Sequence, residues 1–409
     1  MSTVRLPILL LLIASVTAFV SLQGLWPPDL SAVYFGARAY GLGFVDHIYT
    51  APEGFFGRSV DDPVWRQMAT ELGHGDELIL PYIYPPFTAM ILSPIAKLVS
   101  PTAFFTAALV FNIACSAATF VLAWRIAARR PDFMTWTSVS VAIALTAFAF
   151  VFAHFQHQPH IFVTFLIMAA FERYSLGRMA SAGALLAFAA AIKLSPAFFV
   201  IIFLADRNWR AFFACALTGA VLLLGSILIG GVALHLDFVA QISRLGSADQ
   251  VLSNSSYSIA GAITQLQYVI AGIAFETGQE FLLLPHSSVG RGVALLLFVP
   301  GTALLLWHTR DIPGRLFIRL LGLWLILVLA DPLSWALYAI GPLSLLPGLI
   351  TRLPKHVAIG AVVIAGIGLS FQLFQLDLAT SHIPFPQSLI AVITLLGLLG
   401  LTFKLTPPK

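Results

Sequence analysis

The sequence predicts an all-α integral membrane protein, a helical bundle of about twelve spans with interfacial helices in its outer loops. Three observations predict it. Of 409 residues, 59% are hydrophobic and only 10% charged, with a mean hydropathy of +0.93. A soluble domain carries about 25% charged residues, so this chain lacks the polar groups to cover a globular surface. The apolar residues gather in runs close to the ~20 residues that span a bilayer. The basic residues sit singly or in small clusters between those runs, as the positive-inside rule describes, and not as a patch for nucleic acid. The net charge of +4 and pI near 9.2 therefore point to membrane lipid as the surroundings and to no nucleic-acid partner. Cys115 and Cys215 fall inside predicted spans and read as small core residues, not as a disulfide.

The first apolar run, 6–25, follows one basic residue, Arg5, and ends at Trp26, an interface-type residue. It lacks an evident small-residue cleavage site, so it reads as a retained helix in preference to a signal peptide. Residues 26–49 open with two prolines and Asp29, the first acid of the chain, and read as a short helix lying at the membrane surface. Further spans are expected at 101–124, 134–152, 160–173, 178–193, 196–205, 211–233, 289–307, 316–332, 335–350, 356–373 and 387–404. Lys193-Leu194-Ser195-Pro196 interrupts the run 178–205. It reads as the polar turn of a helical hairpin; one long kinked helix is the rival.

Charge sets the orientation. With an inner N-terminus, Arg5 and the clusters Arg125/Arg129/Arg130, Arg173/Arg178, Arg207/Arg210, Arg310/Arg315/Arg319, Arg352/Lys355 and Lys404/Lys409 all face the cytoplasm, 15 of the 22 basic residues. Only Asp132, Glu172, Asp206 and Asp311 of the 18 acids join them. The layout requires two apolar segments not to cross. Residues 85–99 would make a helix of about 22 Å, short of the ~30 Å hydrocarbon core, and contain Pro94 and Lys97. Residues 257–275 are punctuated by Ser258, Thr264, Gln265 and Gln267. Both read as interfacial helices. The outer face then carries two large loops, 26–100 and 234–288, and the inner loops are short. Residues 1–409 read as one integral membrane domain.

Several polar groups stand out at that outer level. Asp29 reads as a helix N-cap or as a general base, since desolvation at an interface tunes a carboxylate to take a proton from a hydroxyl. Tyr84-Pro85-Pro86 opens the interfacial helix; it reads as an aromatic belt or as the floor of a site. His154, Gln156, His157, Gln158 and His160 end a span. Pro159 breaks their register and no acid lies nearby, so hydrogen bonds to a sugar or phosphate fit them better than a metal. Lys193 lies within an apolar run, where a charge marks function unless it snorkels. An ammonium there suits a lipid phosphate. Arg38 is a second outer cation. Asn254-Ser255-Ser256 reads equally as a turn. Asp331, before Pro332-Leu333-Ser334-Trp335, reads as a cap for a helix starting at Leu333 or as a second carboxylate. No phosphate-binding loop, dinucleotide fingerprint, HExxH or nucleophile elbow occurs in a fitting context.

Taken in order, these residues resemble a known family. Asp29 with Tyr34, Ala37, Gly43 and Tyr49, then Tyr84-Pro85-Pro86, Gln158, Gly183 through Ile192-Lys193-Leu194-Ser195-Pro196, Arg207-Asn208-Trp209-Arg210, Asn254-Ser255-Ser256 and Pro332-Leu333-Ser334-Trp335 are similar to glycosyltransferase family 87. This is the polyprenol-phosphate-mannose-dependent α-mannosyltransferase-like group of the C-type (GT-C) membrane superfamily. The resemblance spans roughly 25–340. It departs from the family at His157 and His160, where glycine and asparagine are usual, at Asp331, commonly serine, and at Ala336, Leu337 and Tyr338, where a histidine is frequent.

The resemblance implies a GT-C-like bundle in a bacterial inner membrane, with its site facing the periplasm. It implies transfer of mannose or another hexose from a polyprenyl-phosphate donor to a glycolipid or glycan hydroxyl, with inversion. Asp29 is then the expected base. Lys193, Tyr84, Gln158, His157, His160, Asn254, Asp331, Ser334, Trp335 and Arg38 are the expected substrate-binding residues. No cofactor or metal is expected beyond the lipid-linked sugar. The alternative is a secondary transporter or lipid-linked sugar flippase, whose discontinuous helices the Lys193–Pro196 break resembles. Against it, the polar residues gather outside and no corresponding break is evident in the second half of the sequence.

Overall fold

The computed structural model describes residues 5–51, 58–247, 249–275 and 278–407. Lys409, counted above with the inner basic residues, lies outside them. The chain opens with α1 (Arg5–Leu22), α2 (Pro28–Leu42), α3 (Pro63–Glu71), α4 (Pro86–Leu98) and α5 (Pro101–Ile126). All but α1 begin on proline, whose missing N–H costs nothing in a first helical turn. The expected span 134–152 is divided into α6 (Phe133–Thr146) and α7 (Phe148–Phe155). Between them Ala147 is extended, with ψ 128°, and pairs as a bridge with Ser370. Then come α8 (Pro159–Ser175), α9 (Met179–Ile192), α10 (Val200–Ala205), α11 (Trp209–Gly230) and α12 (Val232–Ser247). The C-terminal part holds α13 (Ile259–Ile270), α14 (Ser288–His308), α15 (Arg315–Ala330), α16 (Ile340–Leu345), α17 (Lys355–Gly368), α18 (Phe371–Gln375) and α19 (Pro386–Thr402).

The protein is an all-α membrane protein with one small addition. In the loop expected at 234–288, β1 (Gln250–Leu252) pairs antiparallel with β2 (Leu282–Leu284). The same loop begins with α12, which the sequence reading left as loop. Among the described residues four helices, α1, α5, α11 and α14, are long and apolar enough to cross a membrane by length and composition. The two segments read as interfacial, 85–99 and 257–275, form α4 and α13. Ser258 caps α13 by accepting the Gly261 N–H.

The chain divides into two compact units: residues 1–14, 120–152 and 249–409, and residues 15–119 and 153–248. In the second unit α2 packs on α4. The Tyr34 hydroxyl donates to the Val99 carbonyl (2.8 Å) and an Arg38 guanidinium N–H to the Ala96 carbonyl (2.8 Å). Fully buried Tyr34, Phe35, Trp65 and Tyr82 fill the core between α2, α3 and α4. Asp62 caps α3, accepting from the N–H groups of Val64 (2.9 Å) and Trp65 (3.3 Å).

The Lys193–Pro196 break is the turn of a hairpin. Gly183 of α9 lies on the backbone of Ala211 and Cys215 in α11, where a methyl group would overlap the Ala211 carbonyl. Gly219 further along α11 faces Ala187 further along α9. The two helices therefore run the same way, and the chain must return between them. It returns through a 3₁₀ turn, Ser195–Phe199, and α10. Phe199 and Phe203 pack on Phe171 of α8, with ring centroids at 6.0 and 5.6 Å, and Tyr174 donates to Asp206 (3.0 Å). A single kinked helix would carry residues 199–206 away from α8.

The first unit contains a like break. Leu305 of α14 meets Gly322 of α15, and Ile326 meets Gly301, so these helices are antiparallel. After Asp331–Trp335 the chain turns back as 3₁₀ Ala336–Ala339, α16 and 3₁₀ Leu346–Thr351. Gly341 lies against Trp324, where a methyl group would overlap the indole, and Gly348 against Phe317. This corrects the expectation that the second half lacks a corresponding break. Asp331 and Ser334 mark the turn in the sequence, between the expected spans 316–332 and 335–350, but there it reads as a loop between helices and not as a counterpart of the Lys193–Pro196 break.

Candidate functional site

In the second unit Asp29 occupies the second position of α2, with Pro27 as N-cap and no side-chain cap. The reading of Asp29 as N-cap is thereby corrected: Pro28 starts the helix one residue too early for it. The carboxylate instead accepts a hydrogen bond from the Gln158 side-chain amide. The Asp29 N–H donates to the Gln156 side-chain oxygen (3.3 Å). Both glutamines come from the loop between α7 and α8. Gln158 is placed there as the residue before Pro159, which opens α8.

Gln158 is itself held. Its side-chain oxygen accepts from the Tyr84 hydroxyl (3.1 Å), and its carbonyl accepts from the Asn112 amide (3.4 Å). Tyr84 precedes Pro85-Pro86 at the start of α4, and its carbonyl accepts from the Tyr49 hydroxyl (2.7 Å). One residue pair away, the buried Gln241 amide donates to the Tyr82 carbonyl. Its oxygen accepts from the Ala51 N–H (3.3 Å). Thus α2, α4, α5, α12 and the α7–α8 loop are tied around one carboxylate by polar groups that each have a partner, as buried polar groups require.

Lys193 is the C-cap of α9, in extended conformation, and the Thr88 hydroxyl of α4 donates to the preceding carbonyl, Ile192 (3.4 Å). Burial drives the Asp29 carboxyl up from its usual value to about 6. The Gln158 hydrogen bond, and then the Lys193 charge, oppose the rise without cancelling it. His160, in the first turn of α8 and buried, also lies within electrostatic reach of Lys193. A carboxylate tuned to about 6 beside an ammonium suits proton removal from a hydroxyl near neutral pH, with an anion held opposite the lysine.

The three histidines diverge. His154 lies 3.1 Å from the Ser116 hydroxyl through Nε2, and the buried His157 ring has no hydrogen-bond partner among the described residues. Burial, and then the neighbouring His154, push His157 down to about 4. Among the described residues no group of three or more His, Cys, Asp or Glu side chains could hold a metal ion.

The structure does not bring every expected residue to Asp29. Arg38 lies nine residues further along α2, where its guanidinium bonds the Ala96 and Lys97 carbonyls and caps α4. The other four belong to the first unit. There, Ser255–Tyr257 run beside Ser334–Ala336. The Tyr257 N–H donates to the Ser334 carbonyl (2.8 Å), the Ala336 N–H to the Ser255 carbonyl (2.7 Å), and Ser256 bridges Trp335. The Asn254 side-chain oxygen and the Ser334 hydroxyl are buried without a partner among the described residues. Asp331 accepts the Leu333 N–H (2.9 Å) in a local turn. It does not cap a helix at Leu333, because a turn at 332–333 and then the pairing of residues 334–336 delay the next helix to Ala336.

Asn112 and Gln241 escaped the sequence reading. A single asparagine in the run 101–124 was the available signal, since polar groups at membrane depth seldom occur without a task. Gln241 sits in α12, where no helix was expected.

No curated protein matches the chain. The family match runs over residues 82–332, from the Tyr82–Pro86 segment to Pro332, more than half of the 409 residues. It is narrower than the resemblance read from the sequence and leaves Asp29, Ser334 and Trp335 outside. The chain belongs to glycosyltransferase family 87.

Proposed function

We propose that this membrane glycosyltransferase moves mannose or another hexose from a polyprenyl-phosphate donor to a hydroxyl of a glycolipid or glycan. The proposed setting is the outer face of a bacterial inner membrane, with 1–409 working as one integral domain of about twelve crossings. Asp29 takes the proton of the acceptor hydroxyl. The acceptor oxygen bonds to the sugar C1 as the C1–O bond to the lipid phosphate breaks, inverting that centre. Polyprenyl phosphate leaves, its charge held by Lys193. No cofactor enters the balance, and the lipid phosphate is the leaving group. Tyr84 and Gln158 hold the base in place, His160 and His157 face the sugars, and Asn254, Asp331, Ser334 and Trp335 contribute to substrate binding. Arg38, whose Nη1 bonds the Ala96 and Lys97 carbonyls, stays in the proposed binding set.

The observation that carries this reading is the Asp29 carboxylate, pushed up to about 6, hydrogen-bonded to Gln158 and within the electrostatic influence of Lys193. Family membership favours it over a secondary transporter or lipid-linked sugar flippase. The test is a labelled lipid-donor assay on purified protein. Wild-type protein should move the label to an added acceptor, and Asp29→Asn should insert and fold yet fail to. Movement of label across a bilayer with no transfer would support the transporter instead.

A further inference from the structure

We propose that a cleft of about 110 Å³ in the second unit, floored by His157 and walled by Trp26 and His74, is the subsite that binds the neutral hydroxyls of the acceptor sugar. The inference rests on reading the chain as a sugar transferase. It begins at the end of α7. The Gln158 N–H returns to the Ala153 carbonyl (2.9 Å) and the His157 N–H to the His154 carbonyl (3.0 Å). This is a Schellman ending with His157 at the left-handed position, φ +46°. Glycine adopts that conformation freely, whereas a side chain there is strained.

The imidazole is also 2% exposed, and neither ring nitrogen has a hydrogen-bond partner among the described residues. A backbone strain and an unsatisfied buried ring both cost stability. The helix ending uses only backbone atoms, so no hydrogen bond among the described residues depends on this side chain. His157 does line the cleft.

The lining has the chemistry of a neutral carbohydrate site. Burial keeps His157 uncharged, so its ring carries one unpaired donor and one unpaired acceptor, the pair that neighbouring sugar hydroxyls require. The Trp26 ring is 4.7 Å from His74 and edge-on to Phe105 at 5.2 Å, an aromatic wall suited to the C–H face of a sugar. Gln23, Thr106 and Glu77 add polar groups at the exposed rim. No lysine or arginine is among the described lining residues, and the Glu77 carboxylate repels an anion. A lipid phosphate is therefore the wrong occupant, and a hydroxyl-bearing ring the right one.

The cleft is joined to the proposed base through the chain. Trp26 is three residues before Asp29. His157 lies between Gln156, which accepts the Asp29 N–H, and Gln158, which donates to its carboxylate.

The test is titration calorimetry of the full-length protein in lipid nanodiscs without donor, with octyl α-mannoside, octyl glucoside, octyl galactoside and decyl phosphate as probes. Asparagine tolerates a left-handed backbone, so His157→Asn removes the ring and keeps the turn. At least one glycoside should bind wild type. His157→Asn should weaken it by about tenfold and Glu77→Gln by a few-fold, with decyl phosphate unchanged in both. Glu77 is on the exposed rim, so its variant keeps the test open if His157→Asn misfolds. The proposal is overturned if no glycoside binds wild type, if both variants bind like wild type, or if the loss falls on decyl phosphate. Ring-dependent glycoside binding by a wild type that transfers no sugar from a lipid donor would uphold the cleft and overturn the transferase reading alone.

Discussion

The Gln158 side chain bridges Tyr84 and Asp29: its oxygen accepts the Tyr84 hydroxyl at 3.1 Å, and its amide donates to the Asp29 carboxylate. One residue from the α7–α8 loop thereby couples the start of α4 to the start of α2. The amide lies this way round because an ionised carboxylate only accepts and must face the amide nitrogen, which leaves the oxygen for the Tyr84 hydroxyl.

The pH dependence of transfer should follow Asp29. A base works as the carboxylate, so activity is lost as pH falls through the folded pKa. That pKa is about 6, not the usual 3.8, and the acid limb of the rate profile should bend near 6. Asp29→Asn should lower turnover about 10²- to 10⁴-fold, the usual contribution of a general base, and remove the limb. A limb that survives the substitution would assign it to another group.

Gln158→Glu should move the acid limb to higher pH. It removes a hydrogen bond that favours the Asp29 carboxylate and sets a second acid beside it, and both effects raise the Asp29 pKa. Tyr84→Phe removes only the group that orients Gln158 and should cost turnover less than about tenfold. The pH–rate profiles of the two variants are the measurement. An unmoved limb in Gln158→Glu would show that Gln158 does not set the base.

Lys193→Met should raise the KM for a polyprenyl-phosphate sugar more than it lowers kcat. Lys193→Arg should restore most of the loss at low salt, because the proposed contact is with charge. Steady-state kinetics with the donor varied separates the cases. A kcat effect alone, with KM constant, would count against a phosphate-binding role.

Asp62→Ala should destabilise the second unit by about 1 kcal/mol, the usual cost of a lost N-cap. The capped N–H groups belong to Val64 and Trp65, and the Trp65 indole donates to the His47 carbonyl at 2.7 Å inside the same core. Thermal unfolding in detergent measures it. Unchanged stability would mean that water replaces the cap at no net cost.

The sequence by itself determined the membrane class and the placement of most helices. Apolar runs and proline starts are local, and burial of a run in lipid depends on little beyond its composition. That is why 85–99 and 257–275 were legible as short helices. Local pattern was also enough to single out Asp29, Gln158 and Lys193 as residues in unusual places.

Only the tertiary structure decided what those residues do to one another. The break after Ile192 is a hairpin because Gly183 lets α11 lie close along α9 in the same sense, a packing fact no run of hydropathy contains. Asp29 is paired with a residue 129 positions away, and Arg38 bonds carbonyls at the end of α4. His157 shows its strain only as a φ angle. Hydrogen bonds and close approaches join residues that are distant in the chain, and their formation depends on how the helices pack, which the local pattern leaves open.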